Sequence, residues 1–162
     1  MSISILKALP EHVTAIHALI RELAIYEKAE KEHTATEDEL MRFLFGDDKF
    51  VFCDVALEDG NLIGIALYYY KYSTWKGRSL YLEDLVVKEE HRGRGLGKKL
   101  FLSVVEFAVE QNCGRMDWQV LDWNEPAIGF YERFEANLDG EWINGQFTPE
   151  QMRRICNEND TF

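Results

Sequence analysis

Residues 89–111 read EEHRGRGLGKKLFLSVVEFAVEQ. Gly93, Gly95 and Gly97 alternate with other residues, and an amphipathic helical pattern follows at once. Glycine in a helix costs about 1 kcal/mol relative to alanine, so three at a helix start need a reason. A strand that enters a helix through a glycine turn presents unpaired N–H groups at the positive end of the helix dipole. Glycine accepts φ > 0 and lets an anion approach the backbone closely. The stretch predicts a phosphate cradle.

Three phosphate patterns compete for it. A Walker loop requires glycine at 92 and a hydroxyl after Lys98, where the chain has Arg92 and Lys99. The dinucleotide pattern starting at Gly93 requires glycine at 98 and a preceding βαβ unit. Arg/Gln-x-x-Gly-x-Gly/Ala fits Arg92-Gly93-Arg94-Gly95-Leu96-Gly97 without a gap.

Outward from the turn, SISILKAL predicts a first strand, and Pro10 opens a helix with apolar residues at helical spacing. Thr36 and Glu39 form a capping box for a second helix, with Gly46 as its stop. FVFCDVAL, LIGIALYYYKY and RSLYLEDLVV, joined by the EDGN turn and the STWKG loop, predict an antiparallel meander. After the glycine helix, RMDWQVL predicts a strand, and Asn124 caps a short helix reaching about Phe134. A strand around Glu141–Phe147 and a helix from Pro149 complete the reading. The fold class is α+β, with one domain over 1–162.

The chain has 162 residues and a formal net charge of −11. That disfavours nucleic acid, whose phosphates need a basic surface, and suits a cationic small molecule. No apolar run approaches the ~20 residues of a membrane span, and the first residues lack signal-peptide order. An intracellular, cytoplasmic protein with no membrane partner is expected. Cys53, Cys113 and Cys156 are widely spaced, and no histidines stand at ligand spacing, so reduced thiols and no metal are expected.

With RGRGLG, the segments ELAIYEKAE, YYYKYSTWKGRSLYLEDLVV and LDWNEPAIGFYERF carry a family resemblance. The chain resembles the GNAT N-acetyltransferases over nearly its whole length, and within them the diamine acetyltransferase branch, which holds the spermidine/spermine and thialysine enzymes. The resemblance implies a GNAT fold, with a central, mostly antiparallel mixed sheet flanked by helices. It implies acetyl-CoA as cosubstrate, a small primary amine as acceptor and a homodimer. The alternatives are a spermidine/spermine N1-acetyltransferase and a non-catalytic acyl-CoA-binding module.

It also implies roles. Main-chain pairing with pantetheine falls to Leu85, Val86 and Val87. The pyrophosphate falls to Arg92, Gly93, Arg94, Gly95, Leu96, Gly97 and Lys98. Asn124, Pro126 and Tyr131 also flank the cofactor. Tyr131 becomes the acid for the leaving sulfur, although its neighbours Ile128 and Phe134 alone would make it a core tyrosine. Glu83 becomes the base; strict alternation puts it with Tyr81 and Leu85, and Asp84 with Leu82 and Val86 on the other face, so no carboxylate pair is expected. Tyr26, Glu27, Trp75, Glu83, Asp84 and Glu141 are implied around the amine. Two positions depart from the branch: Ser73 stands where polyamine enzymes carry an acid, and Glu135 where a glycine is usual.

Overall fold

The computed structural model describes residues 3–159 and divides into two compact units, up to Gln119 and from Val120. In the first unit, β1 (Ile3–Lys7) leads through a 3-10 turn at Pro10–His12 into α1 (Val13–Tyr26). Next come α2 (Glu37–Phe45), β2 (Val51–Glu58), β3 (Asn61–Ser73), β4 (Gly77–Val87), α3 (Leu96–Glu110) and β5 (Arg115–Asp117). The strands lie in sequence order, antiparallel except for the parallel β4–β5 pair. The expected mixed α+β sheet is present.

Local chemistry explains the element boundaries. Thr36 accepts from the Glu39 amide while the Glu39 carboxylate takes the Thr36 N–H, so the capping box forms. Asp59 and Gly60, both at positive φ, turn β2 into β3.

Each face of the sheet carries helices. Val13, Ile16 and Leu19 of α1 and Leu44 of α2 pack with Cys53, Val55, Ile65, Leu67 and Val86 in one apolar core. On the opposite face α3 lies so close to β3 that a Cβ on Gly64 would stand 3.0 Å from a Leu100 methyl. Phe107 of α3 packs against Phe52 and Tyr68 there. Beneath it Asp54, 2% exposed, accepts from Lys7 Nζ at 2.6 Å and from Tyr68 Oη at 3.0 Å. Ser103 Oγ lies 2.8 Å from its other oxygen.

The β3–β4 register contains the feature that positions the site. Tyr68 pairs with Leu82, but Leu67 pairs with Asp84, leaving Glu83 as the extra residue of a β-bulge. The bulge overturns the expected alternation. Asp84 shares the face of Tyr81 and Val86, toward α1, and Leu85 shares the face of Leu82 and Val87, toward α3.

The second unit holds α4 (Glu125–Glu132) and α5 (Pro149–Asn159). Asn124 Oδ1 accepts from the Ala127 amide, as its capping role predicts. Glu135 adopts φ 57°, so the chain takes the left-handed turn without the usual glycine. The strand expected around Glu141–Phe147 does not form. Among the described residues this unit offers no strand to pair with, and an isolated strand leaves its amides unsatisfied. Likewise β5 stops at Asp117 instead of running through Leu121, and Trp118 instead packs edge-on to Phe101.

Candidate active site

The glycine turn is built as its sequence predicts. Gly93 and Gly95 have φ of 75° and 76°, and a Cβ on either would meet nothing within 4 Å. Gly95 is the N-cap of α3 and has no side chain with which to cap it. The first intrahelical bond runs from the Lys99 amide to the Gly95 carbonyl at 3.1 Å. The amides of Leu96, Gly97 and Lys98 precede it and have no carbonyl four residues back within the helix. Such a turn fits a pyrophosphate.

The arginines hold this turn in place. Arg94 makes a forked pair with Glu58 at the end of β2, through Nη2 at 2.5 Å and Nη1 at 3.2 Å. That pairing is the main cause holding the Glu58 carboxyl below the ordinary glutamate range. Arg92 donates from Nε to the Val87 carbonyl at 3.0 Å, with its guanidinium 5.6 Å from the Tyr26 ring centre.

Ahead of the turn, β4 has an open edge. β5 pairs with it only over Ser79–Tyr81. From Leu82 to Val87 that edge carries no strand among the described residues. Extended backbone there can pair with a flexible amide-bearing chain.

At the bulge, carboxylates gather on the α1 face. Tyr69 Oη donates to Glu83 Oε2 at 2.7 Å, and the Tyr69 ring stacks on Tyr81 at 5.4 Å. Asp84 is pushed up to about 7, first by burial and then by the like charges of Glu83 and Glu27. Burial also raises Glu27, the C-cap residue of α1. Burial, followed by the Glu83 charge, raises the Tyr81 phenol. Glu83 from the bulge and Glu27 from the end of α1 both act on Asp84, and such a gathering of carboxylates suits an ammonium.

The remaining expected residues divide between the two units. Tyr26 lies beside Arg92, while Trp75, 80% exposed, projects from the β3–β4 loop. Ser73 is buried, its Oγ accepting from the Lys76 amide at 3.1 Å; it holds the loop. In the second unit Tyr131 is buried, edge-on to Phe130, Pro126 lies in the first turn of α4, and Glu141 is exposed. Sequence reasoning missed Tyr69, Tyr81 and Glu58. In LYYYKY only the strand register decides which tyrosine meets Glu83.

The sequence matches the family described as Acetyltransferase (GNAT) family over residues 14–135. The chain belongs to the GNAT acetyltransferases. A Bos taurus thialysine N-epsilon-acetyltransferase is 39% identical over 149 residues, covering 85% of this chain and 88% of the relative. A Homo sapiens spermidine/spermine N(1)-acetyltransferase-like protein 1 is 32% identical over 144 residues, covering 83% of this chain and 21% of the relative. Among solved structures, an integron cassette protein from V. cholerae superposes with TM-score 0.78 at 26% identity, covering 96% of this chain and 98% of the other. This GNAT protein is therefore an enzyme, an amine N-acetyltransferase of the diamine branch. GNAT acetyltransferases use acetyl-CoA, and the turn at Gly93–Lys98 fits its pyrophosphate. Among the described residues no helix is long and apolar enough to cross a membrane.

Proposed function

We propose that residues 1–162 act as one N-acetyltransferase domain that moves acetyl from acetyl-CoA to a primary amine of a small molecule of the thialysine or diamine type. The observation that carries this reading is the bulge at Glu83, which brings Glu83 and Asp84 to one face beside Glu27. An alkyl ammonium titrates near ~10.4 and must lose a proton before it attacks. Glu27 and Glu83 draw it in, and Tyr69 holds Glu83 in place. Asp84 accepts the proton, because a base works best with a pKa near the working pH. The sequence reading gives that step to Glu83; we place it on the half-buried Asp84 because burial and like charges push it up to about 7.

Acetyl-CoA, when bound, supplies a thioester activated for acyl transfer. The amides of Leu96, Gly97 and Lys98 would hold its pyrophosphate, and the open edge at Leu85, Val86 and Val87 would pair with its pantetheine arm. The family resemblance assigns Asn124 and Pro126 to the same arm, and Tyr131 as donor to the departing sulfur. Tyr26, Trp75 and Glu141 are assigned to the acceptor amine. The enzyme is taken to be cytoplasmic and a homodimer, for which the exposed Tyr70 and Tyr72 of β3 offer aromatic surface. The acidic cluster also favours a second reading, spermidine/spermine acetylation. A non-catalytic acyl-CoA binder would have no use for the carboxylates at the bulge.

The test combines calorimetry of acetyl-CoA binding with thiol release across a panel of lysine analogues, diamines and polyamines. Binding and turnover are expected in the wild type, and Gly95→Asp, which sets a charge in the cradle, is expected to lose both while remaining folded. Binding without turnover of any amine would favour the acyl-CoA-binding module.

A further inference from the structure

Two residues beyond Tyr69 on β3, and on the same face of the strand, stands Lys71. Its Nζ lies 3.2 Å from Asp117 Oδ2 and 5.6 Å from the centre of the Tyr81 ring. Asp117 is shared, because Arg115 Nε lies 2.7 Å from its other oxygen. One carboxylate thus serves two cations, and one positive charge is left over. The group is open to solvent, with the Lys71 side chain 43% exposed.

Tyr81 divides this cationic group from the anionic one. Glu83, Asp84 and Asp117 all act on its phenol, so both groups border the same ring. Same-face neighbours on a strand stand about 7 Å apart, a step comparable with the reach of a lysine-type four-carbon stem. A substrate lying along the Tyr69–Tyr81 stack with its terminal ammonium at Glu83 and Asp84 would bring its far end to Lys71. A carboxylate at that end meets the surplus positive charge. A second ammonium, as in a diamine or polyamine, meets repulsion.

We propose that Lys71, supported by Arg115, is a specificity residue that receives the carboxylate of an amino-acid substrate and turns polycations away. The proposal rests on the amine N-acetyltransferase reading above and chooses among its acceptors. It gives the acidic chain a local exception in charge, placed where it sorts amino acids from plain amines.

The experiment compares kcat/KM for lysine, for cadaverine, which is lysine without the carboxylate, and for spermidine, in wild type, Lys71→Met, Lys71→Glu and Arg115→Met. Wild type should prefer lysine over cadaverine. Lys71→Met should lower that ratio several-fold, through KM for lysine with kcat unchanged, since an exposed charge pair is a modest, uniform contribution to binding. Lys71→Glu should reverse the ratio and raise activity toward spermidine, and Arg115→Met should lower the ratio less than Lys71→Met does. The wild-type preference should shrink as salt rises. A ratio that stays constant in both Lys71 variants, or a wild type that turns over cadaverine better than lysine, overturns the subsite and leaves the acetyltransferase reading standing. A wild type that acetylates no amine in the wider panel overturns that reading itself.

Discussion

Two aspartates on opposite faces of one sheet show how burial is turned to different ends. Asp54 lies under α3, where Lys7, Tyr68 and Ser103 all meet its carboxylate. Asp84 lies toward α1, where the neighbours that act on it are Glu83 and Glu27, of its own sign. A buried charge with donors around it is a fastening. A half-buried carboxyl among like charges holds its proton into the neutral range, which costs stability and suits it to the base role proposed for it. Each occupies a strand interior, so the difference comes from what the neighbouring strands and helices bring to it.

The sharpest way to break this contrast is Asp84→Asn. General-base catalysis contributes ~10²–10⁴-fold, so kcat/KM should fall by that much, and the limb of the pH–rate profile near pH 7 should vanish. Stability should move the other way. Folded Asp84 keeps its proton up to about pH 7, against 3.8 for an ordinary aspartate. The wild type therefore loses stability as pH rises through that window. The uncharged variant should melt higher than wild type at pH 8 and show no such gain at pH 4. A rate loss under ten-fold with equal melting differences at both pH values would make Asp84 another structural group.

Asp54→Ala tests the other side. It strips Lys7 and Tyr68 of a shared acceptor, while Ser103 keeps the Leu100 carbonyl, and should lower unfolding stability by about 2–4 kcal/mol in urea titrations, while activity per folded molecule holds. A change inside about 0.5 kcal/mol, the scale of an ordinary surface substitution, would remove Asp54 as a fastening.

The smallest effect is expected from Tyr69→Phe. The variant keeps the stack on Tyr81 and deletes only the hydrogen bond to Glu83, which should raise KM for the amine about ten-fold, the equivalent of one charge-assisted bond. Its melting temperature should barely move. An unchanged KM would mean that Glu83 needs no holding.

Several features were legible residue by residue. The capping box at Thr36 and Glu39, the Asp59–Gly60 turn, the glycine turn at 93–97 and the Asn124 cap each rest on chemistry within a few positions. Their structures follow those positions. Less was legible where long-range pairing was needed. The segment 141–147 has the alternation of a strand, but alternation creates a strand only when another edge accepts its amides. Along β5 the pattern was right as far as Asp117 and then yielded to the packing of Trp118.

By itself, then, the sequence determined the glycine turn, the order of the elements as far as α4 and the family. Those depend on glycine, proline and capping side chains acting locally and on apolar periods within single elements. Only the tertiary structure decided that Glu83 and Asp84 face the same way. Strict alternation puts them on opposite faces, and the one-residue shift between Leu67 and Tyr68 that unites them belongs to a pairing between two strands. The charge environment of Asp84 is tertiary for the same reason. Coulomb forces act through space, and Glu27 reaches it from a helix more than fifty residues earlier in the chain.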